Sequence, residues 1–225
     1  MSGAIDVLHP DRPKRILIVA SNPSISTQTG WPVGFWWAEL THPYWEFVER
    51  GYEVTLASPE GGALIPDGFS DPEDESGYSA HDLISLGFKK SPTHAQLIEN
   101  TARLADLSVG DFDAVFLVGG QAPMVTFVDN DQVHALVAAF FEAGKPTAVV
   151  CHATCVLLKT RTSSGTLVVD GKTWTGFATS EEKFADEFVG QKIQPFWIET
   201  KRAGSATRTS SSTPCSSRSQ FATGI

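Results

Sequence analysis

The sequence contains only three cysteines, Cys151, Cys155 and Cys215, among its 225 residues. Three scattered cysteines do not build the disulfide framework of a small secreted domain, and none of them lies in a CxxC pair or a Cys/His cluster with zinc spacing. We therefore expect free thiols, a reducing cytoplasmic location and no bound metal.

Basic residues are also scarce, because 17 lysines and arginines face 26 aspartates and glutamates, a net charge of −9. Proteins that bind nucleic acid or anionic membranes need clustered Lys and Arg, so we expect neither partner. No apolar run approaches the roughly 20 residues that span a bilayer. Residues 1–15 lack the apolar run of a secretory signal.

The charge is unevenly distributed along the chain. Residues 201–225 hold four of the 17 basic residues and none of the acidic ones, so residues 1–200 carry 13 basic against 26 acidic side chains, a net charge of −13. Eleven of the last 25 residues are Ser or Thr, a composition typical of disorder. We divide the chain into an N-terminal extension (1–13), one domain (14–200) and an atypical basic tail (201–225).

Short apolar runs alternate with amphipathic segments along the domain. This alternation favours an α/β fold with a doubly wound, mainly parallel sheet flanked by helices. The expected strands are 14–21, 52–58, 112–120 and 147–151, the expected helices are 31–50, 93–107 and 131–143, and a hairpin is expected over 166–174. Residues 65–90 are expected to form a long polar surface loop, with a solvated acidic run at 67–75.

Small or polar residues follow three of the expected strands, where an open α/β sheet binds its ligands. They are Ser21-Asn22, Gly119-Gly120 and Cys151-His152. The last pair carries the strongest signal, because a thiol at an abrupt strand-to-helix transition matches a nucleophile elbow. The helix N-terminus would stabilise a thiolate, and the diglycine backbone an oxyanion. The alternative is that Cys151 is a buried small hydrophobic residue, as free cysteines usually are.

Glu39, Gly119-Gly120 and the run Ala148-Val-Val-Cys151-His152 together resemble the ThiJ/PfpI superfamily, related in fold to class I glutamine amidotransferase domains. Residues 34–43, 51–58 and 171–177 are similar to its branch of heat-shock chaperones and glyoxalase III proteins. The resemblance covers about residues 14–198. It implies a flavodoxin-like sheet and a homodimer.

The resemblance also implies a role for each matching residue. Cys151 corresponds to the family's nucleophile, His152 to the adjacent general acid/base, and Glu39 to the carboxyl group against the sulfur. Glu182 best matches the acid that orients the histidine, with Glu181 left open as the alternative. A glutamate crowded against a thiolate should have a raised pKa. The expected oxyanion and substrate-binding residues are Gly119, Gly120 and Gln121.

The function that the resemblance implies is that of a cysteine enzyme acting on small reactive carbonyls. The thiol would add to a 2-oxoaldehyde such as methylglyoxal and release a 2-hydroxy acid, or the protein would act as a related deglycase, with no cofactor. A stress-response chaperone with a redox-sensing cysteine, an isocyanide hydratase and a peptidase are the alternatives. Two departures from the family pattern leave the substrate open: Ala153 in place of glycine, and Gln121 rather than histidine after the diglycine.

The resemblance stops shortly before residue 200. Where relatives continue with a helix, a strand and a closing helix, residues 201–225 are basic and rich in Ser and Thr. We hypothesise that this tail is a frame-shifted or otherwise altered end. Translation of the coding DNA in the other two frames tests the hypothesis, since a family-like continuation should then emerge.

Overall fold

The computed structural model describes residues 12–203. The described residues do not include residues 1–11 of the expected N-terminal extension or residues 204–225. The hypothesis of an altered tail concerns a segment that lies mostly outside the described residues. The last described helix, Ile198–Ala203, runs across the boundary that we placed at residue 200. No helix within residues 12–203 has the length and hydropathy required to cross a bilayer.

Seven strands and seven α-helices build the described chain. The strands are β1 (Arg15–Val19), β2 (Ser24–Ile25), β3 (Pro32–Val33), β4 (Glu53–Ser58), β5 (Ala102–Arg103), β6 (Ala114–Leu117) and β7 (Thr147–Val149). The α-helices are α1 (Trp37–Glu49), α2 (Leu83–Lys90), α3 (Pro92–Glu99), α4 (Pro123–Thr126), α5 (Asp131–Glu142), α6 (Thr179–Val189) and α7 (Ile198–Ala203). A 3-10 helix spans Cys151–Leu158.

Five strands form one parallel sheet in the order β5-β4-β1-β6-β7, which confirms the expected fold class. Ile18 of the central strand lies opposite Leu56 on one side and Phe116 on the other. The chain builds outward from β1 to β5 and then returns to β6. Strand order therefore reverses between β1 and β6, and this is the switch point where open α/β sheets bind ligands.

Each face of the sheet covers its own apolar core. Leu17 packs on one face with Phe140 of α5, whereas Ile18 packs on the other with Leu40 of α1 and Phe88 of α2. Successive residues of a strand point to opposite faces, so the apolar run Ile16–Val19 of β1 contributes to both cores. The central strand was predictable from its apolar run for this reason.

The expectation of one long loop over residues 65–90 is wrong, since the segment ends in α2. Phe88 of this helix is fully buried, and Asp82 caps its N-terminus by accepting the Ser85 backbone N–H at 3.0 Å. The acidic run is also not wholly solvated, because Asp67 is only 1% exposed. A single buried aromatic residue within a polar stretch gave too weak a periodic signal to identify the helix.

Two further elements differ from expectation. The helix expected over 93–107 ends at Glu99 and is followed by the short edge strand β5. The hairpin expected over 166–174 is absent from the described chain, where an isolated antiparallel bridge joins Arg161 to Leu167. Two consecutive turns take the place of the hairpin, because the Asp170 N–H donates to the Leu167 carbonyl oxygen at 2.9 Å and the Lys172 N–H donates to the Val169 carbonyl oxygen at 3.0 Å.

Candidate active site

Cys151 lies at a sharp turn directly beyond β7. Its φ of 51° makes it the one non-glycine residue with positive φ among the residues that the structure describes. Such a left-handed conformation is costly for a side chain with a Cβ and clusters at functional sites. The strained turn lifts the thiol above the carboxyl edge of the sheet, as in a nucleophile elbow. Cys151 keeps partial exposure to solvent, whereas Cys155 is buried.

The diglycine after β6 is required by close packing around Cys151. A Cβ on Gly119 would lie 2.6 Å from the Cys151 Cβ and 2.4 Å from Glu39 Oε2. Gly120 has a φ of 97°, and a Cβ there would lie 2.5 Å from the Gly34 carbonyl oxygen. The backbone N–H of Gly120 points at the Cys151 sulfur. Neither position accepts a larger residue without movement of the site.

Glu39, in the first turn of α1, reaches across to the same thiol. The backbone N–H of Gly119 donates to Glu39 Oε2 at 2.9 Å, and the carboxyl group is hydrogen-bonded to Cys151. Burial raises the pKa of Glu39, and its contacts with Cys151, His152 and Gly119 only partly offset this. The carboxyl group therefore holds its proton to a higher pH than an exposed glutamate. The N–H of Gly119 is already occupied by this contact.

His152 joins the thiol to a second carboxyl group. Its Nδ1 lies 3.4 Å from the Cys151 sulfur and its Nε2 lies 3.1 Å from Glu182 Oε1. Phe177 stacks on the imidazole with ring centroids 4.4 Å apart. Burial opposes a charge on His152, but Cys151 and Glu182 outweigh it and raise the pKa to about 10. Burial also raises the pKa of the Cys151 thiol, and the neighbouring imidazole counteracts this.

Of the two acids left open by the sequence, Glu182 contacts the imidazole. Glu182 is 1% exposed, whereas Glu181 accepts the backbone N–H of Ala178 at 2.9 Å and helps to cap α6. The structure thus brings together Cys151, His152, Glu39, Glu182, Gly119 and Gly120. Ala153, where the family usually has glycine, is fully buried in the core beneath them.

Gln121 lies next to this group and lines a cleft of about 200 Å³ together with Trp31 and Phe69. Its backbone N–H donates to Asp67 Oδ2 at 2.6 Å. Its side-chain Oε1 is buried and has no hydrogen-bond partner in the described structure. A ligand that offers a hydrogen-bond donor would satisfy this oxygen.

Asp67 is the site residue that the sequence reasoning missed. Its side chain is buried and accepts the backbone N–H groups of both Gly34 and Gln121. The available signal was its position beyond the carboxyl end of β4, at the same sheet edge as the other site residues.

The histidines on α1 and α3 make local contacts away from the thiol. His42 Nε2 lies 2.9 Å from Asp82 Oδ1, and His94 Nδ1 lies 2.7 Å from the Ser91 hydroxyl. Within residues 12–203, no group of three or more His, Cys, Asp or Glu side chains is placed to hold a metal ion.

Comparison with known proteins relates this geometry to a family. The model of the DJ-1/PfpI family matches residues 34–199, more than half of the chain. The chain belongs to the DJ-1/PfpI family. This assignment confirms the ThiJ/PfpI resemblance.

Two relatives of this DJ-1/PfpI protein have names that state an activity. Glyoxalase 3 of Candida albicans is 23% identical over 171 residues, which cover 73% of this chain and 68% of the relative. A deglycase of Pyrococcus horikoshii is 29% identical over 120 residues, which cover 53% of this chain and 56% of the relative. The chain thus spans little more than half the length of that deglycase.

Solved structures share the fold of this DJ-1/PfpI protein. The Rapid Encystment Protein of Francisella tularensis superposes with a TM-score of 0.77 at 22% identity, covering 90% of this chain and 85% of its own. A glyoxalase III of Candida albicans superposes with a TM-score of 0.69 at 19% identity, and the match covers 89% of this chain and 83% of the glyoxalase III chain. At these identities the likeness concerns the fold.

Proposed function

We propose that this protein is a cofactor-independent cysteine enzyme that converts small 2-oxoaldehydes, such as methylglyoxal, into 2-hydroxy acids. One observation carries the proposal: the Cys151 sulfur lies 3.4 Å from His152 Nδ1 while the Glu39 carboxyl group is hydrogen-bonded to the same thiol. A nucleophile flanked by two proton-carrying groups suits a reaction that adds a thiol and then moves substrate protons. The relatives named glyoxalase and deglycase support this chemistry.

The first step is addition of the thiol to the aldehyde. The thiol proton of Cys151 resides on His152, because the raised pKa of the imidazole favours a thiolate–imidazolium pair. The Cys151 sulfur forms a bond with the aldehyde carbon, and the carbonyl electron pair moves to oxygen. Return of that proton to the oxyanion gives a neutral hemithioacetal. Glu182 stabilises the intermediate imidazolium, because a buried carboxylate beside Nε2 favours the charged ring.

The second step moves hydrogen between the two substrate carbons. A proton leaves the carbon bonded to sulfur, the electron pair forms an enediol, and a proton returns to the former ketone carbon. The product is a 2-hydroxy thioester, which one water molecule hydrolyses to the 2-hydroxy acid and the free thiol. Glu39 is placed to carry this proton, because it contacts the sulfur and its raised pKa makes its carboxylate a stronger base than that of an exposed glutamate.

The proposal is tested by enantioselective detection of lactate formed from methylglyoxal. Cys151→Ala should abolish turnover, and Glu39→Gln should lower kcat by about 100-fold, as is typical for loss of a general acid/base. Cys155→Ala is the matched control, because this second cysteine is buried below the turn. Turnover that survives in Cys151→Ala would rule out the proposal.

A chaperone role is the second candidate, and an exposed aromatic cluster favours it. Phe184 and Phe188 on α6 are 66% and 61% exposed, and Tyr78 is 39% exposed. Phe188 lies 6.4 Å from Phe184 and 6.1 Å from Tyr78, measured between ring centroids. Exposed apolar patches on soluble proteins mark interaction surfaces.

An aggregation assay with a heat-denatured client separates the two functions. For a chaperone, Phe184→Ser/Phe188→Ser should lose protection of the client while Cys151→Ala retains it. Equal protection by the wild type and the double variant would exclude this surface as the client site.

A further inference from the structure

Asp67 is a buried carboxyl group that the proposed reaction does not use. The residue is 1% exposed, yet both of its oxygens have partners. Gly34 N–H donates to Oδ1 at 2.9 Å and Gln121 N–H donates to Oδ2 at 2.6 Å. The backbone N–H of Asp67 donates in turn to the Phe35 carbonyl oxygen at 2.8 Å. One residue from the loop after β4 thus joins two other segments of the chain.

The two segments that Asp67 joins carry the groups around the thiol. Gly34 lies three residues before Trp37, the first residue of α1, whose first turn holds Glu39. Gln121 directly follows Gly120, whose N–H points at the Cys151 sulfur. A displacement of either segment would therefore move a group that contacts the nucleophile.

The two segments also pack directly on each other. The Ala122 N–H donates to the Gly34 carbonyl oxygen at 3.1 Å. That same oxygen would lie 2.5 Å from a Cβ on Gly120. Backbone this closely packed transmits small shifts, because interiors have few voids to absorb them. The carboxyl group of Asp67 lies where the two segments meet.

Two converging N–H donors require two acceptor oxygens. An ionised carboxylate supplies both, whereas a protonated carboxyl group accepts more weakly through its O–H oxygen and an amide turns its NH₂ donor towards one of the N–H groups. Leaving that N–H unpaired in a buried site costs about 1–3 kcal/mol. The arrangement therefore depends on the charge state of Asp67.

Several charged or titratable groups surround this carboxyl group. Glu39 faces it from α1 and His152 from the 3-10 helix, and Asp74 of its own loop lines the same cleft. Burial raises the pKa of Asp67 to about 7, although the Gly34 and Gln121 N–H groups and His152 lower it. Its ionisation thus falls in the range where the enzyme would work.

We infer that Asp67 is a positioning residue whose ionised carboxylate holds the Gly120 N–H and Glu39 in place around Cys151. This inference rests on the proposed function for its effect on turnover. Asp67 does not touch the reacting atoms. It acts through the backbone of Gly34 and Gln121.

The test uses Asp67→Asn, which keeps the shape of the side chain but replaces one acceptor by a donor. Asp71→Asn is the matched control, because Asp71 lies on the same loop and pairs with Lys89 at 2.7 Å. With methylglyoxal, Asp67→Asn should lower kcat at least tenfold and change KM less than twofold. Asp71→Asn should leave both constants unchanged.

Alkylation of Cys151 by iodoacetamide gives a readout that needs no turnover. Its rate in the wild type and in Asp71→Asn should show an inflection near pH 7, and Asp67→Asn should lack it. If methylglyoxal is not a substrate but this inflection disappears in Asp67→Asn, the proposed function fails and the positioning role stands. A folded Asp67→Asn with wild-type kcat and a wild-type alkylation profile would overturn the inference.

If Asp67→Asn does not fold, the pH dependence of Cys151 alkylation in Glu39→Gln shows which carboxyl group causes the inflection. An inflection near pH 7 that persists without the Glu39 carboxyl group supports the assignment to Asp67. Its disappearance assigns the titration to Glu39 and overturns the inference.

Discussion

Glu182 Oε1 lies 3.1 Å from His152 Nε2, and both side chains are buried. The contact favours the charged imidazole, and the pKa of His152 is raised to about 10 by Cys151 and Glu182 against the opposing effect of burial. The acid on α6 thus controls the proton on the group that serves the nucleophile.

Glu182→Gln should lower the pKa of His152 and lower kcat for methylglyoxal by about 100-fold. The free energy of unfolding should fall by about 1.5–3 kcal/mol, the usual contribution of a hydrogen bond to a charged group. Because the folded pKa of His152 lies above its ordinary value of 6.5, this stabilisation is fully present below pH 6.5. It is lost as the pH rises through about 10, so the difference from wild type should shrink there.

Chemical denaturation at pH 6 and at pH 10 measures this effect. Glu181→Gln is the matched control, because Glu181 caps α6 and does not contact the imidazole. We expect its stability to stay within about 0.5 kcal/mol of wild type. An equal loss in the two variants would show that the effect belongs to the helix and not to the His152 contact.

Gly119→Ala should inactivate the protein, because the added Cβ would meet Glu39 Oε2 at 2.4 Å and the Cys151 Cβ at 2.6 Å. Overpacking of this kind costs about 1–3 kcal/mol of stability. Gly87→Ala in α2 is the control, since a Cβ there meets nothing within 4 Å. It should be neutral or stabilising by up to about 1 kcal/mol. Full activity in Gly119→Ala would show that the site tolerates a shift of Glu39.

The fold and much of the site could be predicted because their signals are local. The apolar run of β1 identified the central strand, and the Cys151-His152 pair after an apolar strand identified the turn. The choice between Glu181 and Glu182 could not be made from sequence. It depends on the rotation of α6, which the Ala178 cap and packing around His152 determine.

The position of Asp67 beyond β4 was available from the sequence, but its burial and its partners could not be predicted, for a different reason. Its partners are backbone N–H groups 33 and 54 residues away along the chain, and a backbone N–H leaves no mark in a sequence. In the sequence, a buried carboxyl group with such partners cannot be distinguished from an exposed acidic residue in a loop. Homodimerisation and a cytoplasmic location stay predictions from the resemblance and the cysteine content.

The two described cysteines should differ sharply in reactivity. Burial raises the pKa of Cys155 strongly, and its sulfur contacts the Pro123 carbonyl oxygen at 3.4 Å. Cys151 is partly exposed and has His152 beside it to accept the thiol proton. Peptide mass spectrometry after brief treatment with iodoacetamide should find Cys151 alkylated and Cys155 intact. Preferential labelling of Cys155 would contradict the assignment of Cys151 as the reactive thiol.

The free energy of unfolding of the protein should depend on pH because Asp67 is a buried acid. Its pKa is raised by burial from an ordinary 3.8 to about 7. Below pH 3.8 the carboxyl group is protonated in both the folded and the unfolded chain, so it does not make stability depend on pH. Between pH 3.8 and about 7 only the unfolded chain ionises, so stability falls as the pH rises. Above about pH 7 both states are ionised and the loss stays constant.

Asp67→Asn removes this titration, so the stability of wild type relative to the variant should fall from pH 4 to pH 7 and then level off. Urea denaturation across this range measures the difference. A flat difference for Asp67→Asn would mean that the carboxylate is already ionised at pH 4. In that case the two N–H donors outweigh burial, and Asp67 holds the Gly34 and Gln121 segments together throughout the physiological range.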